Sequence, residues 1–177
     1  MKKLLLAGAL LIFALTGCQQ KEEPKPQYQF PTGPVAPVQS MEQEKLLREV
    51  VAKDPKNVNG WISLGNMMMD TSRFGEAVEA YQKALDIDPK NVDVRVDMGT
   101  CYRNLGKPDM AVKEYRRALE LNPQHLFALK NMGIVFAYDL HDSKEAAKAF
   151  EKALAIAPND PDADRLKQEM QKLKAAK

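Results

Sequence analysis

Apolar side chains follow a helical spacing in paired segments through most of the chain after residue 41. In the first pair, Trp61, Leu64 and Met68 share one face of a predicted helix, and Tyr81 and Ala84 lie on the matching face of the next. Proline stands mainly between these segments rather than within them. The pattern therefore predicts an all-α protein built from helical hairpins.

A short segment repeats along the chain and sets its period. Residues 54–58, which read DPKNV, recur 34 residues later as residues 88–92, and Pro123 and Pro158 continue the series at spacings of 34 and 35. Proline at this place ends the second helix of a hairpin and turns the chain toward the next copy. A period of this length indicates stacked helical repeats.

Each copy combines large apolar residues beside a glycine in its first helix with an aromatic residue between alanines in its second. These positions are Trp61, Leu64, Gly65, Ala77, Tyr81, Ala84 and Pro89 in the first copy, Met98, Gly99, Tyr102, Ala111, Tyr115, Ala118 and Pro123 in the second, and Leu129, Met132, Gly133, Phe136, Ala146, Phe150, Ala153 and Pro158 in the third. The pattern resembles the tetratricopeptide repeat family. The resemblance implies a right-handed α-solenoid, with the one extra residue of the third copy expected in the turn at residues 139–142.

The three copies are expected at residues 58–91, 92–125 and 126–160, with a half-unit on either side. Residues 41–57 resemble an unpaired second helix, because Leu47 and Val51 share an apolar face. Residues 161–177 predict a capping helix with an apolar stripe that includes Leu166 and Met170. The alternative for this last segment, given its lysines, is a helix that lies on a membrane surface.

The first 17 residues have the order of parts of a secretory signal: a basic start at Lys2 and Lys3, an apolar stretch, and small residues. A permanent membrane span is the alternative, but about 12 apolar residues are fewer than the ~20 that a helix needs. Residues 15–18, which read LTGC, resemble a bacterial lipobox. That resemblance implies a lipoprotein with acyl chains such as palmitate on Cys18, and Gln19 in place of aspartate favours the outer membrane, facing the periplasm.

Residues 18–40 are expected to hold the lipidated cysteine and a proline-rich tether. Proline-rich chain extends by about 3.1 Å per residue, so the tether would reach roughly 70 Å from the lipid. A ligand for a proline-recognising domain is the alternative interpretation.

Charge and candidate chemistry narrow the function class. Without Lys2 and Lys3, the 26 basic residues become 24, equal to the 24 acidic ones, so nothing suggests a nucleic-acid partner. With Cys18 carrying lipid, Cys101 has no disulfide partner. Neither histidine stands in a catalytic constellation, and no cofactor motif is present. We therefore expect no enzyme activity and no cofactor or metal, although His141 with Asp139 and Asp142 is a weak candidate metal site.

In the tetratricopeptide family, partners usually bind the concave face made by the first helices of the hairpins, as an extended peptide or a helix. Counting away from the core stripe places the candidate partner-binding groove on these residues of the chain: Asn59, Ile62, Asn66, Met69, Asp93, Val96, Thr100, Arg103, Phe127, Lys130, Ile134, Ala137 and Tyr138. The third copy supplies the large apolar members. The alternative is that the capping helix covers some of them.

One subclass of the family clamps a carboxyl terminus with lysine, asparagine and arginine in this groove, and only Asn66 falls at a matching position. Ile62, Asp97, Phe127 and Asn131 occupy the others, and Asp93 with Asp97 would repel a carboxylate. The resemblance as a whole implies a membrane-anchored scaffold or adaptor that binds a protein partner during assembly of an envelope complex, such as a pilus, secretin or outer-membrane machine. A regulator that docks a cell-wall enzyme is the alternative.

Overall fold

A computed structural model describes residues 37–175 of the chain, and their side chains from residue 41. These residues form helices throughout and contain no β-strand, which confirms the all-α solenoid. The helices are α1 (Pro37–Lys53), α2 (Val58–Asp70), α3 (Phe74–Ile87), α4 (Val92–Asn104), α5 (Pro108–Leu121), α6 (Leu126–Ile134), α7 (Ser143–Ile156) and α8 (Ala163–Ala175), and a π-helical turn at Val135–Asp139 extends α6.

The helices pack in chain order. The hairpins are α2 with α3, α4 with α5, and α6 with α7, and each hairpin contacts the next through its second helix. At the amino end α1 packs on α2, and at the carboxyl end α8 packs on α7. Contacts between neighbours in sequence account for most of the core, as expected of a solenoid.

One capping device starts the first helix of every hairpin. The side chains of Asn57 and Asn91 accept hydrogen bonds from the backbone N–H groups three residues later, at 2.9 and 3.1 Å. His125 stands at the same place in the third copy, where its Nδ1 accepts the N–H of Ala128 at 3.2 Å. Because these N–H groups have no partner inside the helix, the caps fix where each first helix begins.

A glycine lets the two helices of each hairpin approach closely. The aromatic rings opposite these glycines are fully buried. A Cβ atom on the glycine would come within 3.0 Å of a ring carbon, closer than side-chain atoms pack. The pairs are Gly65 with Tyr81, Gly99 with Tyr115, and Gly133 with Phe150.

The extra residue of the third copy lies in the π-helical turn at Val135–Asp139, and not in the following turn as the sequence predicted. The residues with positive φ that follow the first helices are Ser72, Gly106 and His141. The spacing from Gly106 to His141 is one residue longer than the spacing from Ser72 to Gly106, so the extra residue lies before His141. The N–H of Leu140 donates to the carbonyl of Val135, five residues back, at 3.0 Å. A π-turn absorbs one residue without breaking the helix, because each bond simply spans one more residue.

Helix α1 begins at Pro37, inside the segment assigned to the tether. Proline suits the first turn of a helix, where its missing N–H removes no intrahelical hydrogen bond. Leu47 and Val51 are buried, as the half-unit requires. Within residues 37–175, no helix is both long enough and apolar enough to cross a membrane. The signal segment, Cys18 and nearly all of the tether lie outside the described residues.

The stripe of α8 packs against the third hairpin. Ala163 and Leu166 are buried, and Met170 and Leu173 are partly buried against the same core cluster. The apolar face that a membrane-surface helix would need is therefore occupied by the protein's own core.

Candidate functional site

The first helices of the three hairpins, together with α8, form one surface, which we call the first-helix face. Side-chain contacts run across it from helix to helix. Nε2 of His125 lies 2.9 Å from Asp93 of α4, and Asn131 of α6 donates to Thr100 of α4 at 3.4 Å. At the other edge, the Tyr138 hydroxyl donates to Glu169 of α8. These contacts join the face from α4 to α8, and Asp70 of α2 is near enough for its charge to act on Asp97 of α4.

Most of the groove residues predicted from the sequence offer a side chain to this face, to different degrees. Phe127 and Tyr138 are 61% and 52% exposed, the largest apolar exposures on the face. The polar Asn59, Asn66 and Asp93 are also exposed, and the remaining half-buried members are Ile62, Met69, Thr100, Arg103, Ile134 and Ala137.

Val96 and Lys130 do not offer a free side chain to the groove. Val96 is buried in the core cluster that contains Ala128 and Leu129 of α6, because α6 packs over it. Lys130 is 8% exposed, and its ammonium group lies within hydrogen-bonding distance of Asp160 and Asp162 at the start of α8. The lysine therefore holds the capping helix instead of facing a partner.

The residues in the middle of the face match the buried aromatic rings beneath them in polarity. The Tyr81 hydroxyl donates to Oδ1 of Asn66 at 2.7 Å, and the Tyr115 hydroxyl lies 3.2 Å from that of Thr100. A buried hydroxyl is costly without a partner, so these two surface positions are polar. Phe150 has no hydroxyl, and Ile134 stands at the same position above it.

The apolar end of the face lies on α6 and its π-turn. The Phe127 ring has the Lys130 ammonium group 5.4 Å from its centroid. Tyr138 lies two residues before Leu140, and Arg103 lies two residues before Leu105 at the matching place in the second copy. Because the π-turn absorbs the extra residue of the third copy, Tyr138 has the same position on the face as Arg103. Helix α8 reaches Tyr138 through Glu169 but leaves both aromatic rings about half exposed or more. The capping helix thus covers this end only in part.

The opposite end is acidic. Burial, together with the negative charges of Asp93 and Asp70, raises the pKa of the Asp97 carboxyl to about 6, and His125 opposes this rise. The predicted groove residues included Val96 and omitted Asp97, although Asp97 stands at one of the positions of the carboxylate-clamping subclass. The structure buries Val96 and leaves Asp97 partly exposed. Only the packing of α6 on α4 decides which of two adjacent residues faces outward.

The other candidate residues have structural roles. The free thiol of Cys101 is fully buried, and burial raises its pKa to about 12, which disfavours the reactive thiolate. Asp139 pairs with Arg103, and Asp142 caps α7 by accepting two backbone N–H groups. Among residues 37–175, no three histidine, cysteine, aspartate or glutamate side chains are grouped to hold a metal ion.

Comparison with known proteins identifies the repeats. Tetratricopeptide repeat models match residues 68–132 and 135–160, together just over half of the chain. No curated protein sequence matches it.

Solved structures share the fold. MamA is 22% identical, with a TM-score of 0.73 and coverage of 78% of this chain and 79% of that one. The first tetratricopeptide domain of Spaghetti (RPAP3), bound to the HSP90 peptide SRMEEVD, is 26% identical, with a TM-score of 0.62 and coverage of 70% and 94%. The Sgt2 domain from Aspergillus fumigatus is 24% identical, with a TM-score of 0.61 and coverage of 67% and 78%. By its repeat motifs and its solenoid fold, this chain belongs to the tetratricopeptide repeat family.

Proposed function

We propose that this chain is a membrane-anchored adaptor of the bacterial envelope that binds a protein partner, as a peptide or a helix, on its first-helix face. The observation that carries the proposal is the exposure of Phe127 and Tyr138 on that face. Exposed aromatic rings beside polar groups are typical of binding surfaces, since a partner removes apolar area from water. The peptide SRMEEVD bound to the related Spaghetti domain supports a peptide-binding role for the fold.

The anchor in this proposal is a lipid on Cys18. Its support is the sequence of residues 1–18, with a basic start, a short apolar stretch and the LTGC tetrapeptide. Several acyl chains would hold the protein firmly, because each buried methylene contributes about 0.8 kcal/mol. The proline-rich segment would then carry the repeats away from the outer membrane into the periplasm, where they assist assembly of an envelope complex.

Replacing both aromatic residues should abolish partner capture. We expect a Phe127→Ser, Tyr138→Ser variant to recover at least tenfold less partner than the wild-type chain in a quantitative pull-down from cell envelopes, because two apolar anchors are lost. The matched control is Met110→Ser, Leu121→Ser, which removes two exposed apolar side chains from α5, outside the first-helix face. Equal recovery by the wild-type chain and the aromatic variant would exclude the face as the binding site.

Replacing the lipidated residue tests the anchor separately. A Cys18→Ser variant should move from the membrane fraction to the soluble fraction, since no acyl chain can attach. Metabolic labelling with palmitate should mark the wild-type chain alone. A wild-type chain that carries no label would overturn the lipid anchor and leave the partner-binding proposal untouched.

A further inference from the structure

We propose that the partner segment is cationic and apolar: its lysine or arginine side chains lie against Asp70 and Asp97, and its large apolar side chains lie against Phe127 and Tyr138. This inference rests on the proposed function and names the chemistry of the segment that the first-helix face would hold. It follows from the charges of the face and from the position of its apolar end.

Among the described residues, every lysine and arginine of the helices that form the face, except Lys174 of α8, has an anionic partner. Arg103 pairs with Asp139, and Lys130 pairs with Asp160 and Asp162. On α8, a lysine and an arginine are likewise paired: Lys172 with Glu169 at 2.9 Å and Arg165 with Asp162 at 3.8 Å. These positive charges are neutralised locally and offer little attraction to an acidic ligand.

The carboxylates of α2 and α4 are different. Within residues 41–175, Asp70 and Asp97 take part in no ion pair with lysine, arginine or histidine at up to 4.0 Å. Asp93 has His125 as its partner, and its own side chain is 86% exposed. Burial is the main cause of the raised pKa of Asp97, and repulsion by the carboxylates of Asp93 and Asp70 adds to it. A cation from a partner would relieve this repulsion and satisfy a partly buried carboxylate.

The apolar anchors are spaced for a short segment. Phe127 and Tyr138 are separated by 11 positions on α6 and its π-turn, which is roughly 16 Å at the helical rise of about 1.5 Å per residue. About five residues of extended chain cover that distance. Since α4 lies beside α6, a segment of about ten residues would reach both the aromatic rings and Asp97.

The acidic peptide of the Spaghetti complex is a useful contrast. Its sequence, SRMEEVD, contains three carboxylate side chains and one arginine. On this chain such a peptide would meet Asp93 and Asp97. Like charges brought together at a binding surface oppose binding, so this face discriminates against acidic segments.

Selection from a random decapeptide library displayed on phage tests the inference, with the full chain in non-ionic detergent as bait. We expect enrichment of peptides that combine arginine or lysine with phenylalanine, tryptophan or leucine. Synthetic versions of them should bind at least tenfold more weakly to an Asp70→Asn, Asp97→Asn variant, as measured by fluorescence anisotropy. Their affinity for the wild-type chain should fall as salt rises, because salt screens exposed charges.

The charge-matched control is Glu79→Gln, Glu120→Gln, which removes two exposed carboxylates from α3 and α5. This control should bind the selected peptides as the wild-type chain does. Equal binding by the Asp70→Asn, Asp97→Asn variant, or enrichment of acidic or uncharged peptides, would overturn the cationic occupant and leave peptide binding in place. Circular dichroism of each variant shows that the solenoid is intact.

Three further outcomes would each overturn the inference. If no peptide is enriched over the Phe127→Ser, Tyr138→Ser bait, the proposed function is overturned with it. If peptides bind only after residues 19–36 are deleted, then this segment of the chain itself occupies the face, and a separate partner is not the occupant. Self-association that disappears in the Asp70→Asn, Asp97→Asn variant would assign the face to a second copy of the chain.

Discussion

Replacing Phe150 by alanine should lower the free energy of unfolding by about 4 kcal/mol. The ring is fully buried and packs against the backbone at Gly133, so its loss leaves a cavity between α6 and α7. The glycine side of this contact has no side chain that could swing in to fill the space. Urea denaturation, followed by circular dichroism, gives the change.

Phe127→Ala is the matched control, since the same substitution on the same hairpin removes a ring that is 61% exposed. We expect it to change the unfolding free energy by less than about 1 kcal/mol, as is usual for surface positions. A small effect at Phe150, similar to that at Phe127, would mean that the third hairpin does not depend on close approach of its two helices.

Replacing Glu114 by alanine should cost about 3 kcal/mol. Its side chain is 3% exposed on α5, and its two oxygens accept from Arg95 at 3.1 Å and from Arg117 at 2.7 Å. The carboxylate joins the two helices of the second hairpin. Without it, the mostly buried Arg95, whose Nε already has no hydrogen-bond partner within the described chain, keeps its charge with no anion beside it.

A double variant separates the ion pair from the packing. Arg95→Met, Glu114→Leu removes both charges and keeps the volume, so we expect it to regain most of the stability that Glu114→Ala loses. Glu120→Ala, at an exposed site on the same helix, should change stability by less than about 0.5 kcal/mol. Equal losses in Glu114→Ala and in the double variant would show that the cost comes from packing.

The acidic and apolar ends of the first-helix face illustrate why two proteins with the same fold need not bind the same ligand. The repeats place helix positions in the same frame in every copy, and the residues at those positions decide what binds. In this chain the frame carries unpaired carboxylates on α2 and α4, and exposed aromatic rings on α6. Its membrane address is a separate matter and stays a prediction from residues 1–18.

Part of the candidate site can be predicted by aligning the three copies with the aromatic residues of their second helices. Asn66, Thr100 and Ile134 occupy one position of the three first helices, opposite Tyr81, Tyr115 and Phe150. The polar residues accompany the rings that carry a hydroxyl, and isoleucine accompanies the ring that does not. A large apolar residue at Ile134 is therefore explained by its partner in the core, in addition to any role in binding.

The sequence by itself determined the number of hairpins and their order along the chain, because each hairpin is stabilised mainly by residues close together in the chain. The side of the first helices that faces a partner stays a prediction. The sequence did not predict that the extra residue lies in the π-turn, that Val96 is buried, or that Lys130 pairs with residues at the start of α8. Those features depend on how one hairpin or capping helix packs on the next, and helical periodicity does not distinguish adjacent positions at the edge of an apolar stripe. Tertiary packing therefore decided the chemistry of the face, although local sequence had already decided the fold.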